Sequence, residues 1–392
     1  MTRFARLGTV PLPVEISPCP ASRDVDQSVV ALHDVAYRID AAAPGADAAL
    51  RNLLGRLQAH PDPGGVGLLV FAAALARRMA AASGGQLADK AHQYLRRFDL
   101  PQHEMFKLLC HTVPFDLATC IANSAIAWAV SGLAHPKVID VGIGTGRQLA
   151  VLLQSLAVEG RLPQSFTIVD IAPLGWALAQ ARAQLTEAAT RLGTAIHFVG
   201  VEGRVESLSA ADWHRVAAAC TGRPVVNTAF ALHRVADDAQ GRDQRNAVLR
   251  RLHALNPQLL VLTEPDVDHL EPRFLQRFRN CHAHFSAMFK TLDALPMAQT
   301  EHDALKVGAF GREIADILAT PDGHRSVRHE TAVSWFHRLA ATGFAPVMAG
   351  ALPVSPHPAV KVVQRGQRVA LQADSEPMLS VFLAAPLDST GC

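Results

Sequence analysis

After His135-Pro136 the chain changes rhythm, and this change limits the possible folds more than any other feature. Short runs rich in Val, Ile and Phe (Lys137 to Val141, Phe166 to Ile171, Ile196 to Val201, Pro224 to Phe230 and Leu259 to Thr263) read as strands. Between them lie Gly146 to Val158, Leu174 to Leu192, Ser209 to Cys220 and Ala239 to Leu255, each long enough for a crossover helix. A strand that feeds a helix and returns in the same direction implies a parallel sheet covered on both faces. The expectation is a doubly wound, Rossmann-like α/β sheet of five parallel strands.

The flanking segments read differently. From about Asp24 to Gly132 the chain is Ala- and Leu-rich with apolar residues at helical spacing, interrupted at Ala43 to Gly45, Pro61 to Gly65, Ser83 to Gly85 and Pro101. Glu271 to Leu295 carries Phe274, Phe278, Phe285, Phe289 and Leu292 on one stripe, and Glu301 to Leu318 is again helical. Phe344 to Ala349 and Met378 to Ala385 read as strands that flank a Pro-rich and then basic segment, Pro353 to Arg368, and are expected to form a terminal β pair at the sheet edge. The expected division is a helical region over residues 1–132 that forms part of a cap, then an α/β domain over 133–392 with a helical cap insert at about 271–318.

Composition excludes several classes. With 49% hydrophobic and 18% charged residues the balance is globular. A net charge of +2 without a basic block, with two Tyr and four Trp, argues against nucleic acid as a partner. Met1 to Pro20 holds prolines and no long apolar core, so no signal peptide is expected. The longest apolar run, Gly64 to Ala76, ends at Arg77 and Arg78, short of the ~20 residues of a membrane span. The expected location is cytoplasmic, and Cys19, Cys110, Cys120, Cys220, Cys281 and Cys392, without a Cys-x-x-Cys pair, read as reduced thiols.

The turn after the first strand reads Asp140-Val141-Gly142-Ile143-Gly144-Thr145-Gly146. Arg147 stands where a dinucleotide fingerprint wants its last glycine, which argues against NAD and FAD. The glycines let a ligand approach the backbone, and the helix that follows offers free N–H groups to a carboxylate. Asp140 would repel a phosphate but accepts from an α-ammonium. Asp170, ending the second strand, stands where a carboxylate takes ribose hydroxyls, and Glu202, past the third, stands by the adenine region. With Asn227 on the fourth strand, these residues point to S-adenosylmethionine.

On the reacting side, His233 in Leu232-His233-Arg234 is either a general base or a satisfied core residue, and Glu264 ends the fifth strand. Asn123, His282 and Phe285 are the candidates for substrate binding, although the Phe stripe itself reads as core. His282 and His284, two apart, lie on different helix faces and cannot chelate as a pair. Asp266, Asp268 and His269 read as caps and solvated charge, so no metal is expected. Gly-x-Ser-x-Gly, Walker and His-Glu-x-x-His motifs are absent from the sequence. Methyl transfer needs mainly a positioned nucleophile in a dry site.

Several ordered segments resemble the GRAS family, known best as plant regulatory proteins and also found in bacteria. Ala122-Asn123-Ser124-Ala125-Ile126 is similar to its Ala-Asn-Gln-Ala-Ile segment, Val138-Ile139-Asp140 to the core of Val-His-Ile-Ile-Asp, and Val226-Asn227 with Leu232-His233-Arg234 to Asn-Ser-x-Phe-x-Leu-His-Arg. Phe274 to Phe278, Ser286 to Phe289, Gly311 to Ile314, Arg328-His329-Glu330, Trp335 and Gly343 to Val347 continue the series, from about Asp116 to Leu387. The resemblance implies a class I methyltransferase-like fold with a helical cap, in which Arg312, Glu313, Arg328 and Glu330 form a buried ion network. Where plant members carry a degraded glycine turn, this chain keeps it intact, which favours an enzyme. The leading expectation is an S-adenosylmethionine-dependent methyltransferase acting on oxygen or nitrogen of a small, partly apolar molecule, with a homodimer allowed. The alternative is a non-catalytic ligand-sensing or partner-binding regulator that retains the cofactor pocket.

Overall fold

The computed structural model describes residues 20–59, 63–83, 86–142, 144–238, 240–348 and 357–387. The expectations for Met1 to Cys19, for parts of the breaks at Pro61 to Gly65 and Ser83 to Gly85, and for Ile143, Ala239, Ala349, Pro353 to Pro356 and Cys392 lie outside the described residues.

Helices α1 (Pro20–Asp40), α2 (Ala46–Ala59), α3 (Pro63–Ser83), α4 (Gln86–Leu95), α5 (Gln102–Cys110) and α6 (Val113–Ala129) precede the first strand. The apolar run Gly64 to Ala76 becomes the centre of α3, where Val66, Leu69, Val70, Phe71, Ala72 and Leu75 are all buried. A helix apolar on every side needs neighbours on every side, and α3 packs against α1, α2 and α4. Among the described residues no helix is long and apolar enough to cross a membrane. In contrast, α6 lies on the sheet-forming half of the chain.

The alternating segment folds as β1 (Lys137–Val141), α7 (Arg147–Val158), β2 (Ser165–Ala172), α8 (Gly175–Leu192), β3 (Ala195–Glu202), α9 (Ala210–Ala219), β4 (Val225–Ala229), α10 (Gln244–Ala254) and β5 (Leu259–Pro265). These strands run parallel in the order β3-β2-β1-β4-β5. Successive residues of the central strands serve opposite layers: Val138 and Val225 join the core shared with α6, α7 and α8, whereas Ile139 and Val226 join the core under α9 and α10. This is why the strands read as continuous apolar runs. The order reverses between β1 and β4, and that switch point opens the crevice in such sheets.

Then come α11 (Phe274–Asp293), α12 (Gln299–Ala304), a π-helical turn over Leu305–Phe310, α13 (Gly311–Ala319) and α14 (Ala332–Ala341). Both α11 and α13 pack on α3, joining the insert to the amino-terminal helices.

The carboxy-terminal part keeps the expected pair, Phe344–Pro346 running antiparallel to the end of Glu376–Pro386, but does not place it at the sheet edge. It contains β6 (Phe344–Pro346), β7 (Lys361–Arg365), β8 (Arg368–Ala373) and β9 (Glu376–Pro386), and β9 lies antiparallel between β5 and β8 rather than at the edge. The sheet is therefore mixed. Two tight hairpins lie here, in which Gly366 (φ +57) and Asp374 (φ +52) take the left-handed conformation that two-residue loops require.

Candidate functional site

The glycine turn sits at the switch point. Gly142, Gly144 and Gly146 have φ of +86, +60 and +81, and Gly142 N donates to Ile171 O at 2.9 Å, tying the turn to β2. At Gly146 a Cβ would lie 3.1 Å from Ala181 Cα in α8. Gly146→Ala combines left-handed strain with a backbone collision, and a loss of about 2 kcal/mol is expected. Urea unfolding measures it; an unchanged midpoint would mean that the α7–α8 contact yields freely.

Beneath the turn runs a polar chain. Asn227 Nδ2 donates to Asp140 Oδ2 at 3.1 Å, Gln148 Nε2 to Asn227 Oδ1 at 3.4 Å, and Asn123 Nδ2 to Gln148 O at 2.9 Å. Asn123 thus braces the first turn of α7. Asp170 is fully buried and stands level with Asp140 on the neighbouring strand, while exposed Glu202 ends β3 against Gly175. The acids occupy the carboxyl ends of three adjacent strands. As Asp140 and Asp170 are closed to solvent, a ligand that uses them must displace their cover.

Burial pushes the Asp140 carboxyl up to about 7, against the hydrogen bond from Asn227 that favours the charged form. A cationic ligand needs the carboxylate. Affinity for an α-ammonium is therefore expected to fall several-fold from about pH 7.5 to about pH 6, and Asp140→Asn to flatten the profile. Calorimetry at the two values checks this; an equal slope in the variant would assign it elsewhere. The effect on stability has its own sign: a raised pKa favours the folded state in acid, and that contribution is lost as pH rises through about 7.

The two candidate catalytic residues are brought together. Glu264, fully buried at the end of β5, accepts from the N–H groups of Leu232 and His233 at 2.8 and 3.3 Å through Oε1, and from His233 Nδ1 at 2.6 Å through Oε2. The carboxylate clamps the short turn Leu232–Arg234, and an Nδ1–H donated to it leaves Nε2 as the outward nitrogen of the ring. His233 Nε2 is buried without a hydrogen-bond partner.

His282 and Phe285 are placed elsewhere. His282 sits where α11 meets α1 and α3, with Nδ1 3.3 Å from His33 Nε2 and its ring against Phe71 and Phe278; burial, then His33, lowers its pKa to about 4. Phe285 stacks on His269 at 5.9 Å and touches Phe289 and Phe310, so it reaches the dyad only through intervening imidazoles.

The sequence names His269, His284 and His329 separately but gives no sign that they meet. Arg328 N donates to His233 O and His269 N to His329 O, at 2.9 and 3.1 Å, and this zipper inserts His329 between His233 and His269. Ring centroids of His329 lie 4.7, 5.0 and 6.1 Å from those of His233, His269 and His284. Burial first, then neighbouring positive charge, holds His269 and His329 well below the ordinary histidine value, and burial brings His284 to about 4. The only signal for His329 was Arg328-His329-Glu330.

The expected network of Arg312, Glu313, Arg328 and Glu330 resolves into separate pairs. Glu330 bonds Arg245 and Arg338, Arg328 bonds Asp237, and Glu313 bonds Arg234. Apart from Arg338, which lies eight residues beyond Glu330, the partners come from segments remote in sequence. The loop acids behave as caps and pairs: Asp268 accepts from the N–H groups of Leu270 and Glu271, and Asp266 from Ala332 N, Ser380 Oγ and Arg368.

The family model of the GRAS domain family matches residues 39–358. The GRAS family protein RAD1 of Lotus japonicus is 30% identical over 250 residues, covering 62% of this chain and 48% of the relative. DELLA protein SLR1 of Oryza sativa subsp. indica is 27% identical over 311 residues, covering 70% and 48%. The chain thus spans about half the length of these curated relatives. Among solved structures, SCL7 of Oryza sativa superposes with a TM-score of 0.72 at 24% identity, covering 91% of this chain and 99% of that one, which shows a shared fold.

Proposed function

The chain belongs to the GRAS domain family, and from that premise we propose an S-adenosylmethionine-dependent methyltransferase that acts on an oxygen or nitrogen of a small, partly apolar molecule. The observation that carries the reading is the intact glycine turn with Asp140, Asp170 and Glu202 at the ends of β1, β2 and β3. The donor set fits the cofactor end to end: an acid for the α-ammonium, one for the ribose diol and one for the adenine amine. When bound, S-adenosylmethionine supplies an electrophilic methyl group. Gly142, Gly144 and Gly146 admit it against backbone, and Asn227 orients Asp140. His233, held through Nδ1 by Glu264, is the candidate proton acceptor at Nε2.

A second reading, a regulator that binds the same ligand without turnover, draws support from the DELLA and RAD1 names of the curated relatives. One pair of measurements separates the two. Calorimetry with S-adenosylmethionine is expected to give saturable binding, and mass spectrometry over a panel of small phenols, alcohols and amines a product heavier by one methyl group. Binding without any product selects the regulator; no binding sinks both.

A further inference from the structure

We propose that His233, Glu313 and His329 form a binding site for one divalent cation of the zinc class. One ligand atom of each lies within 4.8 Å of the other two, and Glu313 Oε2 is 3.9 Å from His329 Nε2. His233 Nε2 and His329 Nε2 are both buried without hydrogen-bond partners. Buried polar atoms are rarely left so unless something uses them, and here two such nitrogens adjoin one carboxylate.

The opposite end of every ligand is already occupied. His233 Nδ1 is held by Glu264 at 2.6 Å, His329 Nδ1 by His269 Nδ1 at 3.0 Å, and Glu313 Oε1 by Arg234 at 2.7 Å. Metal-bound imidazoles are oriented in this manner, through the nitrogen that does not touch the ion. Arg234 is half-exposed, so its charge can turn to solvent. Two imidazoles and a carboxylate suit zinc or its transition-metal neighbours better than magnesium or calcium, and three protein ligands leave a position for water or substrate. Bonds of about 2.0–2.2 Å require the donors to draw together by roughly an ångström, a side-chain adjustment.

This deepens the reading above and rests on it only for use: with the ion in place, His233 is a ligand rather than the proton acceptor. The site's existence does not depend on methyl transfer.

The test is metal analysis of the untagged full chain, then titration of chelator-stripped protein with Zn²⁺ and Co²⁺. About one equivalent of zinc is expected, with visible absorption from the cobalt form. Glu313→Gln and His329→Ala should each weaken zinc binding at least about tenfold, the former through a nearly isosteric change at a half-buried position. Failure of stripped wild type to bind either ion, or undiminished binding in both variants, overturns the site. Calorimetry with S-adenosylmethionine on the same stripped protein keeps the readings apart: ligand binding without metal binding removes only this site, and metal binding without ligand binding removes only the methyltransferase.

Discussion

Replacing Asp170 with alanine is expected to weaken S-adenosylmethionine binding about a hundredfold or more. The carboxyl group is fully buried at the end of β2, level with Asp140 across the strand pair. A ribose diol reaching it would form two charge-assisted hydrogen bonds, each worth about 1.5–3 kcal/mol. Their joint loss amounts to roughly two or more powers of ten in affinity. The overall fold should survive, because β2 is held by its ladders to β1 and β3 and by Val169 and Ile171 in the core. His233→Ala serves as the counterpart: turnover should fall while cofactor affinity stays within about threefold, its side chain being bonded to Glu264 and not to the glycine turn. Calorimetry on the two variants decides the matter. An Asp170→Ala protein that binds the cofactor like wild type would remove the ribose role from β2, and with it the argument that joins the glycine turn to a nucleoside.

The largest effect on stability is expected at Glu330. Its carboxylate lies between Arg245, which is 1% exposed, and Arg338, whose Nε approaches its two oxygens at 2.9 and 2.8 Å. Arg338 also bonds Asp243 at 2.5 Å, so Arg245 depends most on Glu330. Glu330→Ala leaves a guanidinium buried beside a second one, and breaking a buried pair from one side costs about 3–5 kcal/mol. Burial and the Arg338 charge already lower the pKa of Arg245, with Glu330 opposing them. The urea midpoint should drop sharply for Glu330→Ala and less for Arg338→Met, which removes the better solvated partner. A drop of under about 1 kcal/mol for Glu330→Ala would show that water reaches Arg245 once the carboxylate is gone.

The two predictions differ in how far each was legible beforehand. Asp170 is singled out by its distance to the glycine turn, because parallel strands joined by crossover helices bring their carboxyl ends to one side whatever the loops do. Glu330 was noticed within Arg328-His329-Glu330, but its partners Arg245 and Arg338 were not, as no local rule couples α10 to the loop before α14 and to α14 itself. His282 shows the reverse failure. Expected among the polar groups of the substrate side, it lies on α11 with its ring against His33 of α1 and Phe71 of α3. β7 and β8 were missed for a further reason: basic residues on a short strand resemble a solvated loop until the hairpin partners are known.

Periodicity and glycine spacing therefore determined the parallel sheet, its switch point and the side on which the strand ends gather, since each depends on backbone geometry repeated within a few residues. Tertiary structure alone decided the rest: the insertion of β9 beside β5, the burial of Glu330 between two arginines, and the meeting of His233, Glu313 and His329. Those groups are brought together by packing across long chain separations, where the energy lies in complementary surfaces and desolvated charge and no local pattern records the partner.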